Sequence, residues 1–314
     1  MVNIQEIKRQ RDVSVTLMDY GWFVAPYLTM HEFEKAEKTA DYITANPPKT
    51  AQDRRDIEDR IYHSLKEPVF NPGYRARATW YGNQLKHLQD FNHLYESAIF
   101  SYYKREYVQS VLCLLSALEG VMLSFDGYDI NTGATKPSIP DLIQKIVQTT
   151  SGFGANDDEE IRHNVYRDML VKFLNGWIYK NTKNSDFSLS VLNRHYVLHG
   201  MEPGNFYRPQ DLHRLILAFD LFIEILCYPQ KLFRVFTPNP GEDEFIDARR
   251  DYYQALSSGI PTTAQSWKIE RTLLKQHKRY VEPKHDPNIV ESYASNFEIM
   301  SLVAKLAKKG KEES

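Results

Sequence analysis

The chain has 314 residues, 42% of them hydrophobic and 25% charged, and a formal net charge of −2. This excludes collagen, a coiled-coil fibre and wholesale disorder, and the length allows a substantial buried core without staples. No global basic field advertises nucleic acid, although a local patch would be enough.

Cys113 and Cys227 are the only cysteines, and both lie inside apolar runs. A disulfide scaffold is excluded, and so is a zinc site built on several thiolates. Buried free thiols fit a reducing compartment, and MVNIQEIKRQRDV contains no apolar signal region, so a cytoplasmic location is expected.

Residues 1–90 read as a partly helical N-terminal extension. Residues 31–45 have helical composition and stop before Asn46-Pro47-Pro48. Thr50 and Asp53 have capping-box spacing and open a second helix, expected to end before Pro68. PVFNPGYR then reads as a turn-rich linker. From 91, apolar residues recur at three and four: Phe91, Leu94, Tyr95, Ala98, Ile99, Tyr102, Val108, Val111, Leu115, Leu118 and Met122. This predicts one long amphipathic helix, stopped by Asp126-Gly127.

Pro140-Asp141 open a short helix. Asn156 or Asp157 caps the next, with a stripe of Ile161, Val165, Met169, Leu170, Phe173 and Trp177. A polar break (KNTKNSD) precedes FSLSVLNRHYVLHG. Pro209 suits the first turn of a further helix, which Pro229 ends. No convincing alternating strand appears.

The expected fold class is therefore all-α, with a helical core over 91–236 and a helical tail over 237–314. From 264 onward the chain carries ten Lys plus Arg against seven Asp plus Glu, concentrated in KIERTLLKQHKRY and AKLAKKGK. These clusters read as a solvated helix face or as an RNA-facing arm.

Two apolar stretches bear on a membrane reading. Residues 111–125 are interrupted by Glu119 and fall short of the roughly 20 residues a spanning helix needs. Residues 212–228 carry Arg214, Asp220 and Glu224, which would be costly in lipid. Both read as central helices of a soluble core, and no membrane partner is expected.

The chain contains no P-loop, G-x-G-x-x-G, H-E-x-x-H or G-x-S-x-G motif. Chemistry concentrates in Asn193-Arg194-His195-Tyr196-Val197-Leu198-His199-Gly200. An arginine offers a permanent charge and a planar fork that matches phosphate oxygens. An imidazole titrates near neutral pH and moves protons. Together they suffice to cleave an RNA phosphodiester without metal or cofactor.

On an ideal helix, positions five apart are rotated by about 140°. Arg194 and His199 thus converge only if the helix ends near Gly200 or a second subunit completes the pocket. His195 and His199, four apart, share a face, but two histidines with no third ligand make a poor metal site. Arg208 and His213 repeat the Arg-x4-His spacing at a helix start. Glu119, inside an apolar run, needs a basic partner, either Arg194, His199 or an unrelated one. Asp220 and Glu224 share a face of the last core helix.

NRHYVLHG, followed by a loop and an apolar helix, resembles the Arg-x4-6-His signature of HEPN-domain proteins. YYKREYVQSVLCLLSALEGVM, with Glu119 near its end, is similar to the long core helix of some of them. The likeness covers roughly residues 75 to 230. It implies an up-and-down helical bundle, usually dimeric, with Arg194 and His199 facing their symmetry mates. The implied activity is a metal-independent endoribonuclease of toxin–antitoxin or anti-phage systems, with RNA and an antitoxin or defence protein as partners. The alternative it implies is a non-catalytic module that binds nucleic acid, nucleotide or protein. Asn193 and His195 would support the pair; His195 stands where the family often has Asn.

Overall fold

The computed structural model describes residues 4–151, 157–180, 192, 197, 208–227, 244–259 and 264–281. Among them every regular element is helical and none is a strand, as expected of an all-α chain. Tertiary contacts divide the chain into two compact units, Met1–Ile260 and Pro261–Ser314.

The first unit opens with α1 (Ile4–Met18), α2 (Met30–Ala45), α3 (Ala51–Phe70) and α4 (Pro72–Gly82). The N-terminal region, expected to be partly helical, thus holds four helices. α1 escaped notice because its buried residues, Ile7, Val13, Ser14 and Leu17, sit among charged neighbours. The capping box at Thr50 and Asp53 forms as its spacing predicts. Pro68, however, does not end α3. It lies in the last turn, where its missing N–H forfeits one bond, the one to the Ser64 carbonyl, with only two helical residues beyond it, and it is buried. The supposed linker is a helix junction, with the Asn71 side chain capping α4 and Pro72 in its first turn.

The long helix predicted from 91 is two, α5 (Asn92–Tyr103) and α6 (Tyr107–Asp126), packed on each other. The turn between them places Arg105 at φ 66°. The Glu106 N–H closes it on the Ser101 carbonyl at 2.8 Å, and Ser110 Oγ donates to the Ala98 carbonyl at 2.8 Å. Phe91 lies flat on α6 at Gly120, where any Cβ would collide with its ring. α6 is long and apolar enough to cross a membrane by length and composition alone, and 56% of that apolar window is buried inside the protein.

α7 (Ile139–Thr150) is capped by Ser138, and α8 (Asp157–Phe173) runs into a π-turn, Leu174–Ile178. α9 (Pro209–Cys227) is the central helix, with every side chain from Asp211 to Cys227 buried. It packs against α3, α4, α6 and α8. α1 packs on α2 and α8, and α2 on α3.

α10 (Glu244–Ser257) packs on α4 and α5. Its Arg249 is fully buried, and Arg249 Nε donates to Glu96 Oε1 at 2.8 Å. The Tyr253 hydroxyl donates to the same oxygen at 2.8 Å. The boundaries expected at 90/91 and 236/237 are therefore not where contacts divide. α1–α4 and α10 belong to one unit with the core: α3 and α4 pack on α9, and α10 packs on α4 and α5. The second unit contributes α11 (Ala264–Leu274).

Candidate functional site

Asn193, Arg194, His195 and His199 lie outside the described residues, as does the proposed stop at Pro229. Two residues of the same stretch are described. Leu192 is fully buried, and Val197 is helical and buried.

Glu119, on α6, keeps 12% side-chain exposure and forms an ion pair with Lys136 Nζ. One basic partner is therefore an unrelated lysine, one of the alternatives the sequence left open, supplied by the loop that leads into α7. The expectation of a carboxylate deep in apolar packing is corrected in the same way. The helix turns Glu119 to the rim, where a lysine with a flexible stem can reach it.

The second Arg-x4-His pair is fully described, and it is structural. His213 is fully buried in α9, its Nε2 sharing a hydrogen bond with the Tyr102 hydroxyl. The rings of Tyr62 and Tyr102 lie 5.1 and 5.4 Å from the imidazole. Burial, with the charges of Arg75 and Lys66 behind it, pushes this imidazole down to about 3. At neutral pH it stays uncharged and out of reach of any solute.

Arg208 points elsewhere. Its Nη2 lies 3.4 Å from Glu58 Oε2 and its Nε 3.5 Å from Asp211 Oδ2. A guanidinium spent on two carboxylates and an imidazole in dry packing cannot share a substrate phosphate.

Arg214 extends that cluster. It is fully buried and donates from Nη1 to Asp211 Oδ1 at 2.9 Å, while Nη2 lies 3.5 Å from Glu58 Oε2. Its guanidinium carbon stands 5.1 Å from the Trp22 ring and 5.4 Å from Trp177. The π-turn after α8 delivers Trp177, which donates to the Met18 carbonyl at 3.1 Å. Gly21, at φ 73°, admits the indole; a Cβ there would sit 2.6 Å from it. Glu58 Oε1, Trp22 Nε1, and Nε and Nη2 of Arg214 are buried without hydrogen-bond partners. Burial also holds the Asp211 carboxyl above its usual range, against the pull of Arg214 and Arg208.

Lower on α9, Asp220 meets Arg75 of α4 in a fully buried fork. Nη1 donates to Oδ1 at 2.8 Å and Nη2 to Oδ2 at 3.0 Å. Arg75 also donates to the Tyr95 hydroxyl at 2.9 Å and the Tyr27 hydroxyl at 2.7 Å. Tyr27 returns its proton to Asp220 Oδ2 at 2.7 Å. Burial raises the Asp220 carboxyl, opposed by Arg75. One turn on, Glu224 pairs with Arg162 of α8, and burial raises its carboxyl too. Neither carboxylate is free to act on a substrate. They join helices, and α9 tolerates their charge because each has a guanidinium partner.

Sequence reading flagged Arg214, Asp220 and Glu224 as ionisable groups in an apolar helix, but missed their counterparts Arg75 and Glu58. The buried pair of Glu96 with Arg249 was missed as well. The available signal was a charge at a core-facing position, such as Glu96 beside Tyr95 and Ala98. Among the described residues no group of three or more His, Cys, Asp or Glu side chains converges to hold a metal ion. Comparison with protein-family models, with curated proteins and with solved structures finds no match to this chain.

Proposed function

We propose that this chain is a HEPN-like, metal-independent endoribonuclease that acts as a homodimer in a toxin–antitoxin or anti-phage setting. The observation that supports this most is the contrast between its two Arg-x4-His pairs. Arg208 and His213 are consumed by the core, so the reading rests on Arg194 and His199. The all-α unit also suits the reading. The apolar helix α6 packs on α9, and the motif precedes α9 in the chain.

In this mechanism the ribose 2′-hydroxyl attacks the adjacent phosphorus and the bond to the 5′-oxygen breaks. The proton leaves the 2′-oxygen and one is delivered to the 5′-oxygen, giving a 2′,3′-cyclic phosphate and a 5′-hydroxyl. His199 handles the proton, and Arg194 neutralises charge gathering on the phosphoryl oxygens. His195 and Asn193 orient the pair by hydrogen bonding. Glu119, which also pairs with Lys136, helps to orient them.

The test is incubation of RNA with the purified protein in excess chelator, comparing wild type with Arg194→Ala and His199→Ala. Chelator-resistant cutting that disappears in both variants is expected. Cutting that survives both substitutions, or RNA binding with no cutting at all, overturns the nuclease; the latter outcome leaves a binding module.

A further inference from the structure

Within the first unit, α3 meets the turn between α5 and α6 along a seam of aromatic rings and cations. Tyr62, Lys66 and Phe70 are spaced four apart on α3, so they form one row along the helix, and each is half-buried. The Tyr62 ring lies 5.1 Å from that of His213, and the Phe70 ring 5.0 Å from that of Tyr102. Lys66 stands one turn from each end of the row, and its charge is felt at the buried His213. On the other side, the half-buried Tyr107 ring lies 6.3 Å from Tyr102. Burial, with the Tyr107 phenol nearby, holds the Tyr62 phenol above its ordinary range.

The polar ends of this seam are not engaged inside the protein. Among the described residues, the side chains of Lys66 and Arg105 have no hydrogen-bond or ion-pair partner, and neither have the hydroxyls of Tyr62 and Tyr107. Nearby acids do not neutralise the cations: Glu67 pairs with Lys35 at 3.3 Å, and the exposed Glu106 makes no ion pair. Arg105 is exposed at φ 66°, a backbone that glycine would adopt without strain. The turn thus holds a guanidinium at a position where local physics favours no side chain, two residues before Tyr107.

We propose that this seam is a subsite for single-stranded RNA, in which Tyr62 and Tyr107 stack on bases and Lys66 and Arg105 neutralise the flanking phosphates. The inference rests on the RNA-acting reading above and adds the surface on which the strand is held. A single strand presents flat bases and anions in alternation, which matches rings interleaved with cations. A duplex keeps its base faces inside the stack and leaves the rings unused. An acidic peptide meets the cations but offers no flat surface to the rings. A bilayer interface asks for a broad apolar side turned outward, and here the exposed Val108 stands among polar His63, Glu67, Glu106 and Gln109.

The experiment measures binding of a short labelled single-stranded RNA by fluorescence anisotropy, in chelator, from low to moderate salt. The full chain carries His199→Ala throughout, so that no strand is cut during the measurement. Tyr62→Leu with Tyr107→Leu removes the rings, and Tyr62→Phe with Tyr107→Phe keeps them. Lys66→Gln with Arg105→Gly removes the cations, and glycine preserves the turn. A control removes two exposed cations of α1 and α2, by Lys8→Gln and Lys38→Gln.

The expected result is affinity about tenfold weaker in the leucine pair at every salt concentration, with the phenylalanine pair unchanged. The cation pair weakens binding and makes the log–log salt slope shallower by about 1.4, since each single-strand phosphate contact contributes about 0.7. The control keeps the starting slope, and Arg105→Gly alone melts no earlier than the parent, so its weaker binding is not a loss of fold. Equal loss in the leucine and phenylalanine pairs overturns the proposal, as does equal loss in the cation pair and the control, or no loss in either seam variant. Duplex RNA or phosphatidylserine vesicles bound more tightly than the single strand also overturn it. RNA held through the seam but left intact by the chain with His199 restored defeats the nuclease and leaves the seam standing. RNA cut in chelator, with KM unchanged by the seam variants, does the reverse.

Discussion

Near its middle, α9 reaches Arg75 through Asp220; near its start, it reaches Glu58 through Arg214. Both clusters are buried and both pair guanidinium with carboxylate, yet they are finished differently. Arg75 spends both terminal nitrogens on hydrogen bonds of 2.7 to 3.0 Å with Asp220, Tyr27 and Tyr95. Arg214 makes one hydrogen bond to Asp211 and otherwise lies against two indole rings, sharing Glu58 with the partly exposed Arg208. The first cluster is the more fully hydrogen-bonded, although Nε of Arg75 is buried without a hydrogen-bond partner. In the second, charge is shared among four groups, so losing one partner leaves others to compensate.

The largest expected effect comes from opening the first cluster. Arg75→Met strands the Asp220 carboxylate in the core and should cost about 3–5 kcal/mol in urea unfolding. Adding Asp220→Leu should recover most of that loss, because an apolar pair of similar volume is often no worse than a buried ion pair. If the double variant is as unstable as the single, the network contributes more than charge compensation.

Arg214→Met should cost less, about 1–3 kcal/mol, for one hydrogen bond and the ring contacts, since Arg208 still serves Glu58 and Asp211. A loss equal to that of Arg75→Met would erase the distinction between the clusters.

His213, beside Arg214 on α9, gives a signal of another kind, one that depends on pH. Its folded-state value of about 3 lies below the ordinary histidine value of about 6.5. Between those limits the unfolded chain binds the extra proton, so its contribution to stability is full above about pH 6.5 and lost as pH falls toward 3. His213→Phe should flatten the pH dependence of unfolding free energy by up to about 1.4 kcal/mol per pH unit between pH 6 and 4. An unchanged slope would mean that His213 reaches solvent protons in the folded protein.

Local rules made several elements legible. The Thr50–Asp53 capping box and Pro209 in the first turn of α9 depend on neighbours within a turn, so sequence reveals them. The break between α5 and α6 was hidden, because Tyr102 and Val108 keep the apolar rhythm across it. Packing of Ser110 on Ala98 and the left-handed Arg105 decide the turn instead. Of the polar core, Asp220 was visible as an anomaly in an apolar helix. Its partner Arg75 stands 145 residues earlier, in a region that read as a linker. For the candidate site, spacing found two Arg-x4-His pairs, and burial shows that Arg208 and His213 are spent in the core.

Composition and periodicity alone determined that the chain is helical throughout its described length, that α9 is a core helix, and that arginine and histidine concentrate before it. Those are consequences of short-range hydrogen bonding and of apolar faces seeking cover. Which charges neutralise one another, which histidine is sealed away, and where one unit gives way to the next were decided by tertiary packing. Burial makes an unpaired charge so costly that each must find its partner in space, wherever in the chain that partner lies.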